Sequence, residues 1–91
     1  MSIFIGKIEK IEEEFIGSIY YKKVVTIVND NQTGYFEFRN AITMKYIETI
    51  EQGDEVRITY VLQGKTTKSL MKCNNLVGQT IEKLNTKDSQ L

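Results

Sequence analysis

Histidine and cysteine, the side chains most used in nucleophilic and metal chemistry, are nearly absent from this chain of 91 residues, which has no histidine and one cysteine. Without an imidazole, no Ser-His or Cys-His pair can form. One thiol cannot build a usual structural zinc site, so Cys73 is predicted to be a small buried apolar residue. Gly64-Lys65-Thr66 has the residues that end a phosphate-binding loop but lacks the upstream glycine. We therefore expect a protein that is not an enzyme and uses no metal or cofactor.

The densest acidic cluster, Glu12, Glu13 and Glu14, is the remaining candidate for acid-base or metal chemistry. Consecutive residues of an extended segment point to opposite sides, so three in a row do not converge on one ligand. We interpret this run as the charged connection between the first two strands.

Tyrosines and lysines give the chain a different capability. Single-strand binders combine aromatic rings that stack on bases with cations that neutralise phosphates. Two tyrosines and two lysines occupy positions 20–23, and Tyr35 and Arg39 follow in the next element. These residue types predict binding of a single-stranded nucleic acid, with DNA favoured over RNA.

Charge is distributed unevenly along the chain, although the formal net charge is zero. A dedicated nucleic-acid binder usually carries an excess of lysine and arginine, and this chain lacks that excess. Positions 65–72 nevertheless carry three lysines and no acidic residue, whereas positions 9–14 carry four glutamates and one lysine. The sequence therefore predicts a dipolar protein whose basic end lies near residues 65–72.

Hydrophobic periodicity predicts three strands in the first part of the chain, over residues 3–13, Tyr20–Val28 and 33–39. A bulge is expected after Gly6, where the alternation of apolar residues breaks. Asn29-Asp30-Asn31 supplies turn chemistry between the second and third strands. In the third strand Phe36 and Phe38 alternate with polar residues, so both phenylalanines are expected in the core.

A change of period after residue 39 predicts a helix over residues 40–52, with Asn40 as the N-cap and Gly53 as a left-handed C-cap. The apolar stripe of this helix comprises Ile42, Tyr46, Ile47 and Ile50. Two strands follow, over residues 54–62 and 70–84, with a polar, basic loop over 64–69 between them. The core-facing residues of the fourth strand are expected to be Val56, Ile58, Tyr60 and Leu62. Residues 85–91 are expected to be a polar tail.

This order of elements predicts an all-β protein with one helix. Three strands, a helix and two closing strands are the arrangement of an OB-fold, a five-stranded barrel, with the helix between strands three and four. The alternatives are an SH3-like barrel and a small α+β roll, but an SH3-like barrel does not normally carry a helix of this length at that place. We expect one domain over residues 1–84.

Several short motifs support the barrel, namely Gly6-Lys7-Ile8, Phe36-Glu37-Phe38, Gly53-Asp54-Glu55-Val56-Arg57-Ile58, Asn75-Leu76 and Ile81. Over residues 6–84 the chain resembles a family of short bacterial OB-fold proteins, distantly similar to single-stranded DNA-binding proteins and to primosomal protein B. The resemblance implies the fold first and single-strand binding second. The chain departs from many of these relatives in having no tryptophan on the binding sheet.

On the OB template a ligand crosses strands two and three, flanked by loops one–two and four–five. The outward residues of strand two are either Tyr21, Lys23 and Val25 or Tyr20, Lys22 and Val24, and periodicity leaves both sets open. With the first set, the candidate nucleic-acid-binding residues are Tyr21, Lys23, Tyr35, Arg39, Lys65, Lys68 and Lys72. Glu37 lies on the same face and opposes the passage of a phosphate.

The competing function is a protein-interaction or oligomerisation module that uses the barrel surface or a sheet edge. The chain has no proline and therefore none that would block pairing at an edge. Tyr20, Tyr21 and Tyr35 would then be interface anchors, since tyrosine is enriched at interface centres. A homodimer would satisfy both functions by doubling a weak basic surface.

The expected location is the cytoplasm. The first residues have neither a basic lead nor an uninterrupted apolar stretch. No segment approaches the ~20 apolar residues that cross a membrane.

Overall fold

Five β-strands form the described part of the chain, which in this computed structural model comprises residues 1–16, 20–39, 45 and 47–84, with the side chains of 15, 16, 20 and 21 excepted. The strands are β1 (Ser2–Ile16), β2 (Tyr20–Val28), β3 (Thr33–Phe38), β4 (Glu55–Thr66) and β5 (Lys72–Lys83). They close into a barrel in the order β1-β2-β3-β5-β4. β3 and β5 are parallel, and the other pairs are antiparallel. The predicted five-stranded all-β barrel is confirmed, and the predicted tail lies outside the described residues.

β1 closes the barrel because it pairs with two different strands in turn. Its first part pairs with β4 and its later part with β2, and the change occurs at Lys7. The irregularity of β1 lies between Ile8 and Lys10, so the bulge predicted after Gly6 is wrong by a few residues. Gly6 instead permits close packing, since a Cβ there would lie 2.4 Å from the carbonyl oxygen of Val28.

The core consists of apolar side chains that alternate with exposed ones along the strands. Phe36 and Phe38 are completely buried, which confirms the expectation from their alternation with polar neighbours. The buried core residues are Ile8, Val25, Ile27, Phe36, Phe38, Ile47, Ile50, Val56, Ile58 and Ile81. Four partly buried residues pack against this cluster, namely Phe4, Ile11, Tyr60 and Leu76. The burial of these rings and branched chains in a small domain supplies its main stabilisation.

Two isoleucines from the segment that connects β3 to β4 belong to the core. Of the helix predicted over residues 40–52, residues 40–44 and 46 lie outside the described part, among them Asn40, Ile42 and Tyr46. The described residues 47–52 form turns, in which the N–H of Ile50 donates to the carbonyl of Ile47. The prediction that the helix continues to residue 52 is therefore wrong. Ile47 and Ile50 are buried in the core, as their predicted stripe requires. Gly53 adopts the expected left-handed backbone, with φ of 94°. No helix in the described ranges is long and apolar enough to cross a lipid bilayer.

β4 and β5 extend past the barrel as a two-stranded arm. β4 pairs with β1 as far as Tyr60, whereas its pairing with β5 continues to Thr66. The first half of the loop predicted over residues 64–69 is therefore strand, and residues 67–71 form the turn between β4 and β5. Leu62, predicted in the core, is 63% exposed because it lies beyond the last pair with β1. Cys73, predicted to be buried, is half-buried in the same arm.

The backbone of Gly78 packs against the ring of Phe38 and leaves no space for a side chain. We therefore expect Gly78→Ala to lower the free energy of unfolding by about 1–3 kcal/mol through overpacking. A Cβ at this position would lie 2.4 Å from Cζ of Phe38. Gly64→Ala is the matched control, since its Cβ would meet no atom closer than 3.5 Å. Urea denaturation of both variants measures the difference. Equal midpoints for the two alanines would contradict the packing argument.

Candidate nucleic-acid interface

The pairing of β2 with β3 decides which side of β2 faces outward. Lys23 pairs with Phe38 and Val25 pairs with Phe36. Directly paired residues share a face of the sheet, and both phenylalanines are buried in the barrel. Lys23 and Val25 therefore belong to the inner side. The outward set of β2 is the one that contains Lys22 and Val24.

This register corrects the predicted placement of two candidate residues. Lys23 does not share a face with Tyr35, and its Nζ lies 3.8 Å from Oε2 of Glu13 on β1. By register Tyr21 pairs with Phe15, in the same alternating set as Lys23. The sequence leaves two outward sets of β2 open, and the candidate residues come from the set with Lys23. The pairing of β2 with β3 selects the other set, which contains Lys22.

The outward face continues across four strands, because the register aligns residues from β2 to β4. Val24 pairs with Glu37, Glu37 with Val77, and Val77 with Val61. On one side of this row Tyr35 is 62% exposed. Its ring is accessible and can stack on a planar ligand. The face therefore offers an aromatic platform next to a row of three valines and Glu37.

Glu37 is the centre of a charge network on this face. Its Oε1 accepts hydrogen bonds from Nε of Arg39 at 2.9 Å and from Nη2 at 2.7 Å. Its Oε2 lies 3.4 Å from Nζ of Lys22, and the Glu37 side chain is 14% exposed. Lys22 also lies 3.5 Å from Oε1 of Glu14, and Nη1 of Arg39 donates to Oε1 of Gln63 at 3.0 Å. The network links β1, β2, β3 and β4.

The protonation of Glu37 follows from these neighbours. Burial alone would raise the pKa of its carboxyl group. The hydrogen bond from Arg39 and the charges of Lys22 and Arg39 outweigh burial, so the pKa lies below its ordinary value of 4.5. The stability that these ion pairs contribute is present above that value and is lost as the pH falls through the lowered pKa. At neutral pH this part of the face is charge-balanced.

The basic residues of the arm are arranged differently from those on the barrel. Lys65 pairs with Cys73 and Thr66 pairs with Lys72. Neighbouring residues of a strand face opposite ways, so Lys65 and Lys72 lie on opposite sides of the arm. Lys65 is on the side of Gln63, which continues the outward face, and Lys68 is in the turn. All three lysines are exposed, and none forms an ion pair within the described residues.

The glutamate run of β1 lies in a strand and not in the predicted connection. Glu12 is 3.5 Å from Lys10, whereas Glu13 and Glu14 interact with lysines of β2. In residues 1–16, 20–39, 45 and 47–84, no three acidic or thiol side chains are grouped so that they could hold a metal ion. Glu13 and Glu14 therefore neutralise the two lysines of β2.

Comparison with known proteins gives a likeness in fold. No family model matches the sequence, and no curated protein matches it. Among solved structures the chain is similar to the mitochondrial single-stranded DNA-binding protein Rim1 from S. cerevisiae, with a TM-score of 0.55 and 18% identity over 91% of this chain and 92% of that chain. At this identity the likeness concerns the fold, and the barrel has the fold of a single-stranded DNA-binding protein.

Proposed function

We propose that this protein binds single-stranded nucleic acid, as a non-catalytic OB-fold protein, across the outward face of β2 and β3 and along the β4–β5 arm. The observation that carries the proposal is the 62% exposure of Tyr35 on that face. Lys65 continues the same face onto the arm. A ring for stacking beside cations for phosphates is the combination that sequence-tolerant single-strand binding requires. DNA is favoured because the structural neighbour is a single-stranded DNA-binding protein.

The charge distribution determines how the strand is held. Lys22 and Arg39 already interact with Glu37, so the barrel face provides little net positive charge. Lys65, which continues the outward face, and Lys68 in the turn are exposed and supply the phosphate contacts, whereas Lys72 lies on the opposite side of the arm. With few phosphates neutralised, affinity is modest and depends on salt with a shallow slope.

The proposal predicts separate roles for Tyr35 and Lys68. Tyr35→Ala lowers affinity for a labelled 20-nucleotide strand by roughly 5- to 100-fold, the loss of one stacked base, and leaves the salt slope unchanged. Lys68→Ala makes the slope of log affinity against log salt shallower by about 0.7, the value for one phosphate of a single strand. Fluorescence anisotropy at several salt concentrations measures both quantities.

Lys83→Ala is the matched control. Lys83 is in β5 away from the arm, and its Nζ lies 3.6 Å from Oδ2 of Asp54. It should leave both the affinity and the slope at their wild-type values. A wild-type protein that shows no binding even at low salt would refute the proposal.

A second candidate function, self-association, is favoured by a different surface. Met1, Ile3 and Ile5 are 87%, 59% and 46% exposed. The two isoleucines are on the outer side of β1, in the part that pairs with β4. Such an apolar strip is the kind of surface that pairs with a partner. A protein that binds no strand but sediments as a dimer, which Ile5→Lys dissociates, would establish this function instead.

A further inference from the structure

An open cavity of about 420 Å³, which we name the mouth pocket, lies beside the turn between β2 and β3. It is lined by Phe4, Gln32, Thr33, Gly34, Tyr60 and Leu76. Its volume falls within the range of small-ligand sites, and it is open to solvent and does not enclose a ligand. Thr33 alternates with Tyr35 and Glu37 on the outward side of β3, so the cavity adjoins the outward face. The arm lysines form no part of it.

Aromatic rings form the inner part of this cavity. The ring centre of Phe36 lies 5.3 Å from that of Phe4 and 5.1 Å from that of Tyr60, with interplanar angles of 56° and 62°. Phe36 is fully buried, whereas Phe4 and Tyr60 are partly buried. The two outer rings therefore present part of their surface to the cavity, with Phe36 behind them.

Gly34 keeps this arrangement open. A Cβ at that position would lie 2.5 Å from Cε2 of the Phe36 ring. The missing side chain lets the ring sit directly beneath the backbone of β3. Any larger residue would push Phe36 out of its contact with Phe4 and Tyr60.

The rim of the cavity is polar on the side of the β2–β3 turn. Gln32 and Thr33 are exposed there, and the backbone of Gln32 is fixed because its N–H donates to Oδ1 of Asn29 at 3.0 Å. A carboxamide and a hydroxyl can each donate and accept a hydrogen bond. They can therefore pair with the edge of a heterocycle whose face lies against the aromatic rings.

We propose that this mouth pocket holds one nucleobase of the bound strand, with its face against Phe4 and Tyr60 and its edge hydrogen-bonded to Gln32 or Thr33. The pocket rests on the proposed function and extends its interface, because Tyr35 faces outward one residue after Gly34. A strand that passes Tyr35 reaches the mouth pocket with its next base. The aromatic walls and polar rim suit a heterocycle and not an aliphatic chain.

The test compares a normal DNA strand with an abasic deoxyribose-phosphate strand of equal length, by anisotropy at low salt. Tyr60→Leu should weaken binding of the normal strand roughly 5- to 100-fold, the loss of one stacked base. Gln32→Ala should weaken it roughly 2- to 10-fold, the loss of one hydrogen bond. Neither should change binding of the abasic strand. Gln32 is exposed, so the Gln32→Ala substitution leaves the barrel folded. The Gln32→Ala variant therefore still tests the pocket if Tyr60→Leu lowers the melting temperature.

A fluorescent 2-aminopurine placed in the strand gives an independent signal, since stacking quenches its emission. At one position of the strand the quench should be strong with the wild-type protein and lost with Tyr60→Leu. Wild-type affinity of both variants for the normal strand would overturn the mouth pocket and leave the proposed function standing. Absence of binding to either strand would overturn both.

Discussion

Replacing Phe36 with alanine should lower the free energy of unfolding by about 3–5 kcal/mol, the usual cost of deleting a large core ring. Phe36 has no exposed surface and pairs with Val25 on one side and Leu76 on the other. Its ring also contacts the rings of Phe4 and Tyr60. A domain of this size has a total stability of roughly 5–14 kcal/mol, so the substitution removes a large share of it.

Tyr35→Ala is the matched control for this substitution. Tyr35 is the preceding residue of the same strand, carries a ring of similar size and is 62% exposed. Its removal should change the stability by less than about 1 kcal/mol, because surface substitutions outside special features cost little. Guanidinium denaturation followed by circular dichroism gives both values. Similar losses for the two alanines would mean that β3 does not alternate between core and surface.

The strands of this barrel are predictable where residue types alternate. Phe36 and Phe38 are separated by a charged residue, so their period is unambiguous and both are in the core. β2 has the predicted bounds of Tyr20–Val28, since aromatic and β-branched residues fill it. The ends of β4 and β5 are less predictable, because the arm is held by pairing and turn contacts, and its residues are polar like those of a loop.

The face of β2 could not be predicted, for a reason visible in its residues. The strand begins with Tyr-Tyr, Lys-Lys and Val-Val over positions 20–25. Each type occurs at two successive positions, so a shift by one residue gives an equivalent pattern. Since a one-residue slip exchanges the two faces, only the pairing of Val25 with Phe36 fixes the choice.

The network around Glu37 was also beyond sequence reasoning. Its members come from β1, β2, β3 and β4, and the hydrogen bond from Arg39 to Gln63 joins residues 24 positions apart. Alternation indicates that Glu37 faces outward but not which cations reach it. The sequence predicts that Glu37 opposes a phosphate at this position but does not give the cause. The cause is that the carboxylate is already paired with Lys22 and Arg39, the cations that a phosphate would use.

Replacing Glu37 with glutamine should raise the affinity for single-stranded DNA by roughly 10- to 100-fold. The amide keeps the shape of the side chain and can still accept a hydrogen bond, but it no longer neutralises Arg39. Lys22 retains Glu14 at 3.5 Å, so Arg39 is the cation that becomes available. A hydrogen bond to a charged group contributes about 1.5–3 kcal/mol, which corresponds to that gain in affinity. The salt slope should steepen by about 0.7, for one further phosphate.

Acid is not a substitute for this variant, because the pKa of Glu37 is lowered and its carboxyl group stays ionised below its ordinary titration range. Glu82→Gln is the proper control. It removes the same single charge from a pair with Arg57 between β4 and β5, away from the outward face of β2 and β3. An equal gain in both variants would trace the effect to net charge alone. No gain with Glu37→Gln would mean that the strand does not pass over Glu37 and is held by the arm. A gain confined to Glu37→Gln would identify this carboxylate as an internal competitor for the phosphate of the bound strand.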